Sequence, residues 1–108
     1  MNNSKTYNLS MVRGDTLSFA FEVSGVDNID TAFFSVKVNT DDNVYVFQKS
    51  LDNGISLVET GKYRVRVCPE DTEDIEVGCY HYDLEISVNG DVFTLLRGKL
   101  KVDYNITK

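Results

Sequence analysis

The sequence is poor in the residues that metal sites and flexible linkers need. It has one histidine, one proline and two cysteines among 108 residues. One histidine cannot build an ordinary zinc site, and one proline with seven glycines is too few for a low-complexity linker. Hydrophobic residues make up 42% and charged residues 26%, which are globular values. We therefore expect one folded domain over residues 1–108 whose core needs neither metal nor disulfide.

Charge and hydropathy disfavour nucleic acids and membranes as partners. The formal net charge is −6, so polyanions are repelled. No apolar run approaches the roughly 20 residues of a membrane helix, and residues 1–6 lack the apolar stretch of a secretory signal. Cys68 and Cys79 flank a predicted corner, where their spacing is compatible with a disulfide but does not imply one. Thiols in a chain without a leader are usually reduced.

The strongest structural signal is the segment 79–88 followed by Asn89-Gly90. Alternate residues from Tyr80 to Val88 are apolar, and those between them are polar or small. This period of two predicts a strand with one buried face. Asn-Gly between two such runs predicts a tight hairpin, so the chain indicates antiparallel β-structure.

Further strand candidates follow one another at short spacing, and no window sustains the period of 3.6 that a helix requires. Besides 79–88, we predict strands at 7–12, 16–24, 32–39, 44–50, 63–68 and 92–104, a short strand at 55–57, and a corner with a helical turn at 69–75. The expected core side of the last strand comprises Val92, Thr94, Leu96, Leu100, Val102 and Tyr104. Gly98 falls on that side and predicts a bulge or a close contact.

Four residues entering the strand at 79–88 stand at every second position: Glu76, Gly78, Tyr80 and Tyr82. In immunoglobulin-like sandwiches an acidic residue, a small residue, a tyrosine and a core residue recur at this spacing, and the tyrosine hydroxyl bonds back to the corner backbone. Tyr82 stands where antibody domains have a cysteine, and the absence of tryptophan excludes an antibody-type domain. We predict an all-β, immunoglobulin-like antiparallel β-sandwich of about seven or eight strands.

A wider set of short motifs spans nearly the whole chain. It comprises Val12-Arg13-Gly14-Asp15-Thr16-Leu17-Ser18-Phe19, Phe47-Gln48-Lys49, Pro69-Glu70-Asp71-Thr72, the segment 78–84 and Gly98-Lys99-Leu100. Together they resemble small all-β proteins of tailed bacteriophages and prophages of Gram-positive bacteria, the nearest group being the N-terminal β-sandwich module of baseplate upper proteins. The resemblance implies virion assembly or attachment and no enzyme activity. In baseplate proteins a coiled-coil or receptor-binding portion follows the module, so we expect an independent accessory protein or a piece of a longer one.

Two local motifs invite a binding role, and each has a plainer interpretation. Arg13-Gly14-Asp15 spells an integrin-binding tripeptide, but it also suits a turn glycine followed by an aspartate that bonds its own backbone. The acidic run 70–76 offers oxygen ligands for calcium but lacks the spacing of a dedicated loop. Asp71 and Thr72 suit instead the cap of a helical turn. We expect no metal site and no cofactor site.

Cys79, His81 and Asp83 lie on one face of a predicted strand and suggest a nucleophile relay. Residues spaced by two on a strand point side by side, however, and no oxyanion donor accompanies them. We therefore expect no catalytic residue here.

The candidate partner surface lies on the outer face of one sheet. Phe93 and Leu95 oppose the core side of the last predicted strand, and Phe33 opposes the core side of its own strand. If basic residues of the last strand join them, this face has an apolar centre and a basic edge, as partner sites often do. A covering loop or N-terminal segment is the alternative. The candidate surface comprises Phe33, Phe93, Leu95, Arg97, Lys99 and Lys101.

The leading functional hypothesis is a non-enzymatic phage or prophage virion- or tail-associated structural and protein-interaction module. It would assemble by sheet-face or edge-strand contacts with other virion subunits or as a homo-oligomer. The alternative is a small acidic phage-encoded regulator or inhibitor that occupies a basic site on a host protein. A hydrolase built on Cys79, His81 and Asp83 is the least favoured hypothesis. The expected location is the virion or the bacterial cytoplasm.

Overall fold

The computed structural model describes residues 5–26 and 28–106. Short alternating segments separated by turn residues form the strands in it, and a helical turn forms where Pro69 starts the corner. The elements are β1 (Lys5–Thr6), β2 (Leu9–Val12), β3 (Leu17–Glu22), β4 (Thr31–Lys37), β5 (Phe47–Leu51), β6 (Gly54–Glu59), β7 (Lys62–Val67), α1 (Pro69–Thr72), β8 (Gly78–Val88) and β9 (Asp91–Asp103).

The strands follow the order β1-β9-β8-β4-β5-β6-β7-β3, and β2 also pairs with β9. Neighbours are antiparallel, except that β1 and β2 run parallel to β9 and that β5 meets β6 in two parallel residue pairs. At this short contact the sheet passes from one layer to the other. We call β1, β2, β9, β8, β4 and β5 the front layer, and β6, β7 and β3 the back layer.

The core lies between these two layers. Phe34 of β4 is fully buried, and its ring contacts Phe19 of β3 across the layers with centroids 5.6 Å apart. On β7, Val65 and Val67 are buried while Arg64 and Arg66 are exposed, which is the predicted alternation. The predicted all-β, immunoglobulin-like sandwich is confirmed, as a curled and mostly antiparallel sheet that has nine strands within residues 5–26 and 28–106.

The corner between β7 and β8 is closed by a tyrosine. The Tyr80 hydroxyl donates to the carbonyl oxygen of Glu76 at 2.5 Å, the back-bonding expected of a tyrosine corner. Gly78 between them adopts φ 149°, a backbone conformation that favours glycine. Tyr82 is buried, and its hydroxyl donates to the carbonyl of Tyr7 at 2.5 Å. Tyr82 therefore fixes the N-terminal segment against the front layer.

The predicted strand at 7–12 is wrong at its start. β2 begins at Leu9, and Tyr7 and Asn8 connect it to β1. A Cβ atom on Gly98 would overlap the carbonyl oxygen of Tyr7 and lie 2.9 Å from the carbonyl carbon, so the backbone passes directly over this glycine. Gly98 therefore makes the predicted close contact, while the bulge of β9 lies elsewhere.

The alternation of β9 changes at a bulge. Leu84 pairs with Leu96 and Glu85 with Thr94, so Leu95 is the extra residue. Beyond it, Phe93 pairs with the buried Ile86 and packs against the core. The predicted outward position of Phe93 is therefore wrong. The predicted core positions of Val92, 61% exposed, and Thr94 are wrong for the same reason.

The predicted start of the strand at 44–50 is also wrong. β5 begins at Phe47, and Val44 is 76% exposed. The connection from β4 turns first, because the amide of Asn39 donates to the Asp42 carboxylate at 3.0 Å. Tyr104, a predicted core residue at the end of the last strand, is exposed. Residues 25–30, between the predicted strands at 16–24 and 32–39, have the composition of a loop, and Asp27 in this segment lies outside the described residues.

Candidate functional site

The outer surface of β9, β8, β4 and β5, here called the front face, is built by strand register. Side chains at odd positions of β8 point outward, because the even positions from Tyr80 to Ile86 are buried in the core. Each outward residue of β8 pairs with outward residues of both neighbouring strands. The rows are Lys99-His81-Lys37, Arg97-Asp83-Ser35-Gln48 and Thr94-Glu85-Phe33-Ser50.

A groove of about 450 Å³ crosses the front face. One wall is formed by the β4–β5 connection, where the Lys37 ammonium donates to the carbonyl of Asp42 at 2.8 Å. The same ammonium lies 5.2 Å from the centroid of the Tyr45 ring. In the floor, the Gln48 side-chain amide donates to the Ser35 hydroxyl at 2.9 Å. The lining comprises Phe33, Ser35, Lys37, Tyr45, Gln48, Asp83 and Glu85.

Two carboxylates in the groove are without direct partners. Across residues 5–26 and 28–106, neither Asp83 nor Glu85 forms a salt bridge or a side-chain hydrogen bond. Burial raises the pKa of Asp83, and the charges of Lys37 and Arg97 oppose that rise. A carboxylate that has lost water without gaining a hydrogen-bond donor interacts strongly with a cation brought to it.

The structure brings together four of the six residues of the candidate partner surface. Phe33, Arg97, Lys99 and Lys101 lie on the front face by their register. Phe93 and Leu95 do not join them, because both are half-buried and pack against the core. The centre of the face is therefore carboxylate with one half-buried phenylalanine, and the expected apolar centre is wrong. Its basic edge along β9 is present.

Sequence reasoning placed Asp83 on the outer face of its strand, but it did not assign a binding role to any groove residue other than Phe33. The alternation of β8 also places Glu85 on the outer side, so the two carboxylates could have been named as neighbours there. Tyr45 could not, because its surroundings favour a strand from residue 44, whereas β5 begins two residues after this tyrosine.

The residues of the hydrolase hypothesis lie in a row along β8. Cys79, His81 and Asp83 are neighbours at every second position, about 7 Å apart. Within the described part of the chain, no hydrogen bond joins their side chains. Cys68 and Cys79 are both free thiols. No group of three or more histidine, cysteine or acidic residues in that part is arranged to hold a metal ion.

The Arg13-Gly14-Asp15 tripeptide is held against the corner. The buried amide of Gly14 donates to the Thr72 hydroxyl at 2.8 Å, and the Arg13 guanidinium donates to the carbonyl of Ile75 at 3.2 Å. An integrin motif needs a protruding loop tip, so the turn interpretation fits this arrangement better. The Thr72 hydroxyl thus accepts a hydrogen bond from the Gly14 amide and does not cap α1.

In the acidic run, Asp71 is already engaged. Its carboxylate accepts the amide of Cys68 at 2.7 Å, which caps α1. The same oxygen lies 2.7 Å from the Lys49 ammonium, and both side chains are largely buried. Asp71 therefore links α1 to β5.

No protein-family model and no curated protein matches the sequence. Solved structures similar to it include CopC from Methylosinus trichosporium OB3b, at 13% identity and a TM-score of 0.49, covering 94% of this chain and 85% of that one. NK cell receptor Nkp44 has 13% identity and a TM-score of 0.49, with 94% and 100% covered. The extracellular domain of the voltage-gated sodium channel beta4 subunit has 11% identity and a TM-score of 0.45, with 98% of each covered. These similarities carry no information on function, and the fold class rests on the strand order and register.

In the part of the chain that the structure describes, no helix has the length and apolar character needed to cross a membrane.

Proposed function

We propose that this protein is a non-enzymatic protein-interaction module that binds its partner on the front face, with a basic side chain of the partner in the groove. The observation that carries the proposal is a pair of carboxylates, Asp83 and Glu85, that have no direct partner among the described residues and lie beside aromatic rings in a groove of about 450 Å³. The groove opens on the outer side of the sandwich, where a partner can reach it.

A guanidinium group suits this groove better than a neutral side chain. Asp83 and Glu85 are adjacent on the outer side of β8, and each can accept charge-assisted hydrogen bonds. Phe33 lies directly across from Glu85 in the register, so a planar cation bound to the carboxylate can also contact a ring face. Tyr45 already holds the Lys37 ammonium in this manner.

The basic edge of the front face indicates where the partner surface should carry acidic groups. Arg97, Lys99 and Lys101 are exposed on β9, beyond Asp83 as seen from the groove. A matching surface has a basic group at its centre and acidic groups on the side that meets β9. Such complementary charges set specificity and orientation more than affinity.

The biological setting that we propose is a phage or prophage virion or tail, where the partner is another virion subunit or a further copy of this chain. The support for this setting is the resemblance of the sequence motifs alone. A small acidic regulator that binds a basic site on a host protein in the bacterial cytoplasm is the second candidate. The net charge of −6 and the carboxylates of the groove favour it.

The groove is tested by titrating ¹⁵N-labelled protein with N-acetyl-arginine amide while amide shifts are recorded. We expect saturable shifts around Phe33, Asp83 and Glu85, and an affinity at least about fivefold weaker in the Asp83→Asn/Glu85→Gln variant, because both charge-assisted contacts are lost. The matched control neutralises two exposed acids elsewhere, Asp52→Asn/Glu59→Gln, and should bind as the parent does. Equal shifts with uncharged N-acetyl-citrulline amide would refute a cation-binding groove.

The two settings are separated by purified particles. A virion component is present at a fixed ratio in particles of the phage that encodes it. A regulator is absent from them and binds a purified basic host protein with an affinity that falls steeply with salt.

A further inference from the structure

β3 forms an edge of the back layer. Among the described residues it pairs with β7 alone, over Leu17–Glu22. The amide of Val23 donates to the carbonyl of Gly61 at 2.8 Å and continues this register. Because hydrogen-bonded pairs alternate in an antiparallel ladder, the backbone donors and acceptors of Ser18, Ala20 and Glu22 point away from β7, toward the open edge.

This edge carries little of the protection that strand edges usually have. Exposed edges are normally blunted by charged side chains, proline or a bulge. β3 has one charged residue, Glu22 at its end, and contains no lysine and no proline, and its pairing with β7 has no irregularity. By contrast, β1 carries Lys5, and the register of β6 shifts between Leu57 and Glu59. β3 is therefore available for pairing.

The space beside the second half of β3 is open. A groove of about 370 Å³ separates it from the opposite edge of the front layer. Ser18, Ala20 and Glu22 are exposed, and Leu17 and Phe19 are only half-buried. A strand laid along the edge would satisfy the backbone groups and cover these apolar side chains. The groove is lined by Lys5, Ala20, Phe21, Glu22, Ser24, Leu95 and Leu96.

We propose that the occupant of this edge is β3 of a second copy of the chain, paired antiparallel about a two-fold axis at Ala20. In this register Ala20 meets Ala20 of the second copy, and Ser18 meets the second copy's Glu22. The small side chains at the centre allow close approach. The two back layers join into one continuous six-stranded sheet, because each contributes β6, β7 and β3. The interface is isologous, so the assembly closes as a dimer.

Charge complementarity selects a second copy over a foreign strand. Ser18 pairs with Arg66 on β7, so the second copy's Glu22, Ser18 and Arg66 stand in one row across the joined sheet. The small serine lets the carboxylate and the guanidinium meet above it. In the part of the chain that the structure describes, neither Glu22 nor Arg66 has a salt bridge of its own. Because the dimer is two-fold symmetric, this Glu22–Arg66 contact between copies occurs twice.

The test is sedimentation equilibrium of the parent and of charge variants, from about 10 µM to about 1 mM protein, the range of weak dimers. We expect the parent to dimerise, and Glu22→Arg and Arg66→Glu each to weaken the dimer about tenfold, because each variant turns two attractions into repulsions. The double variant Glu22→Arg/Arg66→Glu should bind at least about fivefold more tightly than either single variant, since the intermolecular pair is reversed but intact, although the new guanidinium then lies across from Lys62 of its own β7. Glu59→Arg, an exposed reversal on β6, is the control and should dimerise as the parent does.

Ala20→Pro supplies a second line of evidence. The Ala20 amide points to the open edge, so proline there leaves the β3–β7 ladder intact while removing a donor from the interface. We expect a folded monomer, with the fold checked by far-ultraviolet circular dichroism. If this variant does not fold, the charge-swap series decides.

A parent that stays monomeric at every concentration overturns the proposal, as does a dimer that is insensitive to Glu22→Arg. The front face lies on the other layer, so Asp83→Asn/Glu85→Gln should leave dimerisation unchanged. Failure of the edge pairing is thus distinguishable from failure of the proposed groove.

Discussion

At Asp83, a single side chain of the proposed binding face lowers the stability of the fold when it is ionised. Its pKa is raised above the ordinary 3.8, chiefly by burial, with Lys37 and Arg97 acting in the opposite direction. The folded protein therefore holds the proton of this carboxyl more tightly than the unfolded chain does. The resulting contribution to stability is complete below the unfolded pKa and is lost as the pH rises through the folded pKa.

Asp83→Asn should therefore stabilise the protein at neutral pH. At pH 7 the ionised, partly desolvated carboxylate is replaced by an amide, and we expect a rise in Tm of about 1–3 °C. Near pH 3, where Asp83 is protonated in both states, the difference should vanish. Thermal unfolding at both pH values checks this, with the exposed Asp91→Asn as control. A variant less stable than the parent at pH 7 would contradict the sign.

The two corner tyrosines differ in how far the sequence could predict their contacts. Spacing alone predicts the bond of Tyr80, because its acceptor on Glu76 is only four residues away. The acceptor of Tyr82 is the carbonyl of Tyr7, 75 residues away, and no local pattern encodes it. The sequence thus predicts that Tyr82 is buried and is silent on what its hydroxyl binds.

Among the strands, β9 shows where alternation of apolar residues fails to predict which side chains are buried. The alternation of Leu100 and Val102 predicts their burial correctly, but extending the same phase past the bulge at Leu95 places Phe93 outside. A run of two leucines, Leu95 and Leu96, is compatible with either phase. The neighbouring strand decides between them, since Ile86 requires an apolar partner in the core.

The N-terminal strands depend on one glycine of β9. The amide of Tyr7 donates to the carbonyl of Arg97 at 2.9 Å, and the amide of Lys99 donates to the Asn8 side chain at 3.1 Å. Both bonds require the backbone to pass close over Gly98, where no side chain intervenes. Gly98 thus leaves room for Tyr7 and Asn8 to cross β9 between the ladder of β1 and the ladder of β2.

Gly98→Ala should detach this segment. Its Cβ would overlap the carbonyl oxygen of Tyr7, a clash with backbone that rotamer changes cannot relieve, so we expect a loss of about 2–3 kcal/mol in the free energy of unfolding. Hydrogen exchange at the Tyr7 and Lys99 amides should accelerate more than exchange in β7.

Gly90→Ala separates steric overlap from the general cost of losing a glycine. Gly90 has φ 86°, and a Cβ atom at this position would meet no atom within 4 Å, so alanine there carries only the backbone penalty of about 1–2 kcal/mol. Urea unfolding of both variants gives the comparison. A Gly98→Ala variant with parent-like exchange at Tyr7 would show that the close contact is unimportant.

In the molecule as a whole, few backbone hydrogen bonds connect the two layers. β5 and β6 meet over only two residue pairs, so side-chain contacts must hold the sandwich closed. The core supplies most of them, and Lys49 supplies an ionic one. This lysine sits on the core side of β5 opposite Phe34, where alternation predicts an apolar residue. Its carboxylate partner lies beyond two strands in the chain, so no local pattern predicts the pair.

The Lys49–Asp71 pair should therefore be worth far more than an exposed pair of the same kind. Either single change, Lys49→Met or Asp71→Asn, leaves one largely buried charge uncompensated, and we expect each to lower the free energy of unfolding by about 2–4 kcal/mol. The double variant removes both charges and should lose much less than the sum of the two. Urea unfolding of the four proteins gives the coupling energy.

Lys101 and Asp103 provide the matched comparison. Their charged atoms lie 3.7 Å apart with the side chains 61% and 51% exposed, so water screens the attraction and a coupling energy under about 0.5 kcal/mol is expected from Lys101→Met and Asp103→Asn. If the coupling energy between Lys49 and Asp71 is as small as that of the exposed pair, the effects of the two single changes simply add. The buried ion pair would then not hold α1 to the front layer. Strong coupling at the buried pair alone would show that closure of the sandwich at this end depends on a contact between distant parts of the chain.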